Sequence, residues 1–192
     1  RIKTAQQWKD KVKNSNYLWI VSFYRESCGF CALLEPELEK VADELKHLVH
    51  FAGINVEKEP QFTQQVVKKF NFQITGVPTI KVFSAMTSPY DYSGERKAAS
   101  IKKFALGAQP SFVVSVKPGS NFQDFLSSSP QQRKALLVTP SVRQSSLLKA
   151  ISSEFRSQVI LGHGDVVLQK DLDLPGDVTP PFLVAFRRPA DD

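Results

Sequence analysis

Both cysteines of the chain lie in one short stretch, Arg25-Glu-Ser-Cys-Gly-Phe-Cys31, with the spacing C-x-x-C. Two thiols so spaced can exchange with other disulfides, supply half of a metal site, or pack as inert small side chains. Exchange needs a first thiol whose charged form is favoured and a second held within reach of it. A C-x-x-C between a buried strand and a helix provides both. Its first cysteine falls at the helix N-terminus, where unpaired N–H groups and the helix dipole favour negative charge. The second lies one turn inside. Zinc normally takes four ligands, and the chain has no third cysteine. His47, His50 and His163 show no ligand spacing with the pair, so a zinc site would require two chains to share the ion. No metal and no cofactor is assigned. Gly29 and the strand-to-helix setting speak against an inert pair.

The elements that must position the thiols follow from apolar spacing. Leu18-Trp-Ile-Val-Ser-Phe-Tyr24 is too continuous for a half-exposed strand and predicts a central strand covered on both faces. Leu34, Leu38, Val41, Leu45 and Leu48 recur at three and four and predict a long helix, which Pro36 should kink. Upstream, Thr4-Ala-Gln-Gln7 fits a capping box opening a helix with Ala5, Trp8 and Val12. A strand is expected over His50–Val56. Pro60 opens a helix with Phe62, Val66 and Phe70 on one face. Thr79–Phe83 and Tyr90–Tyr92 predict a hairpin, and a helix should run from near Arg96 to Leu106. The order αβαβαββα implies parallel crossovers closed by an antiparallel hairpin, an α/β domain over residues 1–108. Thr75-Gly-Val-Pro78 stands directly before a strand, where a proline can be cis. By itself this is a simple turn. Together with C-x-x-C in a strand-to-helix setting it marks a redox site.

After Gln109-Pro110 the pattern restarts over residues 111–192. Strands are expected at Phe112–Lys117, Ala135–Thr139, Val159–Leu161 and Phe182–Phe186. Helices are expected at Phe122–Leu126 and around Leu147, Leu148, Ile151 and Phe155. The last strand and helix of the first domain have no counterpart before Asp192, so the second domain is expected to be shorter or incomplete at its C-terminus.

Residues 4–108 resemble a thioredoxin-fold domain and, more narrowly, the catalytic domains of the protein disulfide isomerase family. The matching segments are Phe23-Tyr24, Cys28-Gly-Phe-Cys31, Leu34-Glu-Pro-Glu37, Gly76-Val-Pro-Thr79 and Tyr92-Ser-Gly-Glu-Arg96. The resemblance implies a mixed central sheet flanked by helices. It implies that Cys28 attacks, Cys31 resolves and Pro78 is cis beside them. The backbone of Val77, next to Gly76, would pair with an extended substrate strand. Arg96 matches the family's mobile arginine, which lowers the pKa of the resolving thiol; a plain solvated charge is the other reading. Residues 111–192 resemble the family's non-catalytic modules through element order and Thr179-Pro-Pro-Phe182. The whole would be two thioredoxin-like domains in tandem, the second degenerate or truncated, with Thr139-Pro-Ser141 where the first has its cysteine loop.

Departures from the family pattern refine the expectation. Its sites usually read Trp-Cys-Gly-His-Cys-Lys; Ser27, Phe30 and Ala32 replace the Trp, His and Lys. Phe30 would offer an apolar contact to unfolded substrate. The family's buried carboxylate, proton acceptor for the resolving thiol, is Ser22 here, and the lysine that faces it is Gly53. Losing both avoids leaving one buried charge alone. Ser22 is expected to be a small core residue without a catalytic role. Without the histidine the thiolate is less stabilised and the disulfide more stable. The potential should then lie on the reducing side of roughly −180 mV, towards roughly −270 mV.

The function expected is thiol–disulfide exchange on protein substrates, as a disulfide reductase or isomerase in the endoplasmic reticulum lumen. Its partners would be unfolded or misfolded polypeptides with cysteines and a redox partner, glutathione or another oxidoreductase. The alternative is a non-enzymatic chaperone-like or scaffold module of a larger secretory-pathway protein, its disulfide mainly structural. The net charge of +6 is scattered, as at Lys68 and Lys69 or Arg96 and Lys97, and gives no basic arm for nucleic acid. No apolar run approaches the ~20 residues of a membrane span. No signal peptide is visible at Arg1 and no retention signal at Asp192; with no initiator Met, a fragment of a longer precursor is expected.

Overall fold

The computed structural model of the chain describes residues 5–13, 15–85, 87–141, 143–174 and 178–186. Its contacts divide into two units, residues 1–110 and 111–192.

The first unit is built on strand β1 (Trp19–Tyr24). Because side chains alternate along a strand, its even and odd residues serve two cores. Leu18 and Ile20 face helix α2 (Gly29–Glu44) and helix α4 (Ala98–Ala108), packing with Leu34, Val41, Leu45, Ile101 and Ala105. Trp19, Val21 and Phe23 face the other way, against helix α1 (Ala5–Trp8), its π-helical continuation Lys9–Lys13 and helix α3 (Pro60–Phe70), meeting Trp8, Val12, Phe62 and Val66. The continuous apolar run is therefore a central strand with both faces covered. Burying a side chain such as Phe23 completely contributes roughly 1.5–3 kcal/mol.

The sheet order is β2-β1-β3-β4, with β2 (His50–Asn55) parallel to β1 and β3 (Thr79–Ser84) antiparallel to it. β4 (Thr87–Asp91) closes the hairpin, three residues earlier than its aromatic residues suggest. Lys81, buried inside β3, is neutralised by Asp91 across that hairpin at 2.8 Å. The expected order αβαβαββα is present. α2 continues through Pro36. The capping box at Thr4 lies outside the described residues.

The second unit has the order β5-β7-β6-β8. β6 (Arg133–Thr139) is parallel to β7 (Val159–Asp165) and antiparallel to β8 (Phe182–Phe186), repeating the β2-β1-β3 arrangement. Helices α5 (Ser120–Ser127) and α6 (Ser146–Glu154) flank β6 in sequence. Two differences from expectation have local causes. β5 is Val114–Ser115 alone, because the Phe112 and Val113 N–H groups are taken by the hydroxyls of Ser152 and Ser111. β7 continues through Gly162 and Gly164, which look like loop residues in sequence. A Cβ at Gly162 would come within 2.9 Å of the Phe125 ring, and one at Gly164 would overlap Leu168, so these glycines mark close approach inside a strand. A 3-10 helix, Val166–Asp171, follows.

Candidate redox site

β1 ends at Tyr24 and α2 begins at Gly29, so Cys28 occupies the N-cap of α2 in extended conformation, φ −96° and ψ 109°. There its sulfur replaces the usual capping oxygen. The Cys31 N–H donates to Cys28 Sγ at 3.2 Å. The Cys28 thiol is held below its ordinary pKa, chiefly by its hydrogen bond with the Cys31 side chain, with help from the Cys31 and Phe30 N–H groups and the Arg25 charge. Cys31 points with Leu34 towards the core and is 6% exposed. Burial pushes its thiol up, and the bond to Cys28 adds to this. Two thiols three residues apart are thus made unequal by one helix end.

The loop before β3 completes the site. The Val77–Pro78 peptide is cis, and the Cys28 thiol donates to the Val77 carbonyl at 3.7 Å. The Thr79 hydroxyl fixes the Gly76 carbonyl at 2.7 Å. The Arg96 guanidinium donates to the Pro78 carbonyl at 3.0 Å. Arg96 therefore joins the site through the loop backbone; the charge acting on both thiols is Arg25. Phe30 and Leu33, 72% and 71% exposed, form an apolar surface on the first turns of α2.

Behind Cys31, between α2 and strands β1 and β2, lies a pocket of about 330 Å³. Ser22 and Gly53, register partners across the two strands, line it together with Cys31. Among the described residues no group of three or more His, Cys, Asp or Glu side chains could hold a metal.

Cys28, Cys31, Gly76, Val77, Pro78 and Arg96 thus converge, with Phe30 at the rim. Sequence reasoning assigned no role to Arg25, Leu33 or Glu37, although Arg25 and Glu37 lie in the stretches it singled out. Leu33 is masked in sequence by its neighbour Leu34, which carries the core periodicity. Glu37 accepts the Ala98 N–H at 2.6 Å and so caps α4 from α2, a link across 61 residues that local spacing does not reveal.

A family model described as Thioredoxin matches residues 1–106. A Dictyostelium discoideum protein classed with the protein disulfide-isomerases is 36% identical over 165 residues, 83% of this chain and 39% of that protein. Protein disulfide-isomerase 2-3 of Arabidopsis thaliana is 41% identical over 102 residues, 53% of this chain and 22% of its own length. The chain spans well under half the length of these relatives. Among solved structures, form II of ERdj5 matches with a TM-score of 0.56 at 18% identity, covering 95% of this chain and 25% of that one, a likeness of fold alone. The relatives it matches are named as protein disulfide isomerases, the fold is the mixed α/β thioredoxin fold, and the chain belongs to the thioredoxin family.

Proposed function

We propose that the first unit reduces and isomerises disulfides in protein substrates. The observation that carries this reading is the inequality of the two thiols: Cys28 at the N-cap with its pKa lowered, Cys31 buried with its pKa raised. Cys28 thiolate attacks a substrate disulfide, forming a mixed disulfide and releasing one substrate thiol. Cys31 then attacks Cys28, releasing the second substrate thiol and leaving the Cys28–Cys31 disulfide. In isomerisation a substrate thiol displaces Cys28 instead. The Val77 carbonyl lies against Cys28, so a substrate strand paired with the Val77 backbone would carry its disulfide to the attacking sulfur. Gly76 leaves room for that strand, and Pro78, held by Arg96, fixes the loop's direction. Phe30 and Leu33 contact apolar segments of unfolded substrate.

On this reading the substrates are unfolded or misfolded polypeptides with cysteines, and glutathione or another oxidoreductase resets the pair. The endoplasmic reticulum lumen suits such chemistry, because disulfides persist there. Residues 111–192 contain no cysteine and would serve as a redox-silent module that binds peptide or partner protein.

One observation favours a second reading, a chaperone-like or scaffold module with a mainly structural disulfide. Among the described residues the inner wall of the pocket behind Cys31 has Ser22 and Gly53 and no buried carboxylate. Reduction of insulin by the full chain separates the two. Turnover abolished by Cys28→Ser supports exchange; a wild-type rate no faster than that of a free dithiol supports the scaffold.

A further inference from the structure

Cys31 must lose its proton before it can attack Cys28, and burial works against this. The pocket behind it supplies a route. Its inner wall holds Cys31 and Ser22, 6% and 7% exposed, and its sides are Ile20, Leu38 and Phe51. Ser22 lines the pocket, so its hydroxyl is a polar group on the pocket wall. A cavity of about 330 Å³ has room for several waters, and a hydroxyl and a thiol on its wall give them partners. At its mouth stands Glu35, exposed, four residues beyond Cys31 in α2 and therefore on the same helix face.

We propose that Glu35 accepts the Cys31 proton through water held on Ser22 in this pocket. The proposal rests on the exchange chemistry above and gives Ser22 a positioning role. In the mixed disulfide, the Cys31 thiol passes its proton through water to the Glu35 carboxylate. The Cys31 thiolate forms a bond to Cys28 Sγ as the bond from Cys28 to the substrate sulfur breaks. The substrate leaves as a thiolate and takes up a proton from the Glu35 carboxyl group or from solvent. Two electrons pass from the protein dithiol to the substrate disulfide, and no other reductant is needed. The other titratable groups that face the pocket are Tyr24, Arg25 and Glu26 from β1 and the loop after it, and Glu39 from α2. Glu26 is paired with Lys58 at 2.6 Å. Strand β2 contributes only Phe51, Ala52 and Gly53.

The sign of the effect distinguishes a relay from a simple field. Removing the negative charge of Glu35 would favour the Cys31 thiolate electrostatically and speed its attack. Removing a proton acceptor would slow it. The reduced full chain is mixed with 5,5′-dithiobis(2-nitrobenzoate), which releases one coloured thiolate when Cys28 attacks and a second when Cys31 resolves. With Glu35→Gln the first phase should keep its rate. The second should slow by about a hundredfold near neutral pH, the lower end for positioned proton transfer. The deficit should close as pH rises past the ordinary thiol value of roughly 8.5. Ser22→Ala should slow the same phase, Glu35→Asp should restore part of it, and Glu39→Gln should leave it unchanged. An unchanged or faster second phase in Glu35→Gln overturns the relay, as does slowing by Glu39→Gln instead. A missing first phase in the wild type overturns the exchange reading itself, so the two failures are told apart.

Discussion

At the residue scale the candidate site is asymmetric. Cys28 is favoured as a thiolate by N–H groups at a helix end and by its bond with Cys31, while Cys31 is disfavoured by burial. As pH is raised from the acid side, Cys28 should therefore become reactive first. Limiting iodoacetamide should label Cys28 before Cys31 at every pH below the ordinary thiol range, and equal labelling would remove the basis of the assigned roles. Phe30 adds a second effect. It is exposed and uncharged, and it stands between the cysteines where an imidazolium would stabilise the thiolate. Phe30→His should raise the potential towards roughly −180 mV from a more reducing value. Equilibration against glutathione measures this, and a potential that is unchanged or more negative would confine Phe30 to packing or substrate contact. The cysteine pair and its place between a buried strand and a helix were legible from spacing and residue type; the order of action and the effect of Phe30 are what these two experiments test. The Arg25 charge was not legible, because a lone arginine before a loop looks like any solvated charge.

At the scale of elements, three pieces hold the sulfurs in place: the first turn of α2, the loop at Pro78, and the start of α4. Glu37 joins the first to the last. The N-cap position of α4 is Lys97, which gives no side-chain cap, and Glu37 from α2 accepts the Ala98 N–H in its place. Arg96, two residues earlier, then reaches the Pro78 carbonyl. Glu37→Ala should cost about 0.5–2 kcal/mol, the usual worth of a cap, and should lower substrate exchange through Arg96 and the loop. Thermal melting and insulin turnover of this variant check both halves; full stability would mean that water replaces the carboxylate without loss. Most elements could be read from sequence because β1 is a continuous apolar run of strand length and α2 repeats its apolar residues at about 3.6. The ends of α4, β4 and β5 could not. Glu37 caps α4 from far along the chain, a hairpin pairing sets β4, and serine hydroxyls cut β5 short.

At the scale of the whole chain, one strand order appears twice, once with cysteines and once without. In the second unit Pro140 and Ser141 follow β6 as the cysteine loop follows β1, and a cis Pro180–Pro181 peptide precedes β8 as Val77–Pro78 precedes β3. The repeat was visible in the order of apolar runs. The extent of β7 was not, since its glycines take meaning only from Phe125 and Leu168, which crowd them. Gly164→Ala places a Cβ onto Leu168 and 2.9 Å from the Val116 carbonyl. Overpacking of this kind costs about 1–3 kcal/mol. Circular dichroism should show the second unit weakened while the two-phase thiol reaction of Cys28 and Cys31 persists; loss of both together would contradict units that fold independently. The division of labour between the thiols can be trapped directly. When a scrambled, disulfide-bonded protein substrate is added to the reduced full chain, Cys31→Ser should accumulate a mixed disulfide through Cys28, visible on a non-reducing gel. The wild type should resolve it and Cys28→Ser should form none. Accumulation in Cys28→Ser, or none in Cys31→Ser, would contradict the account.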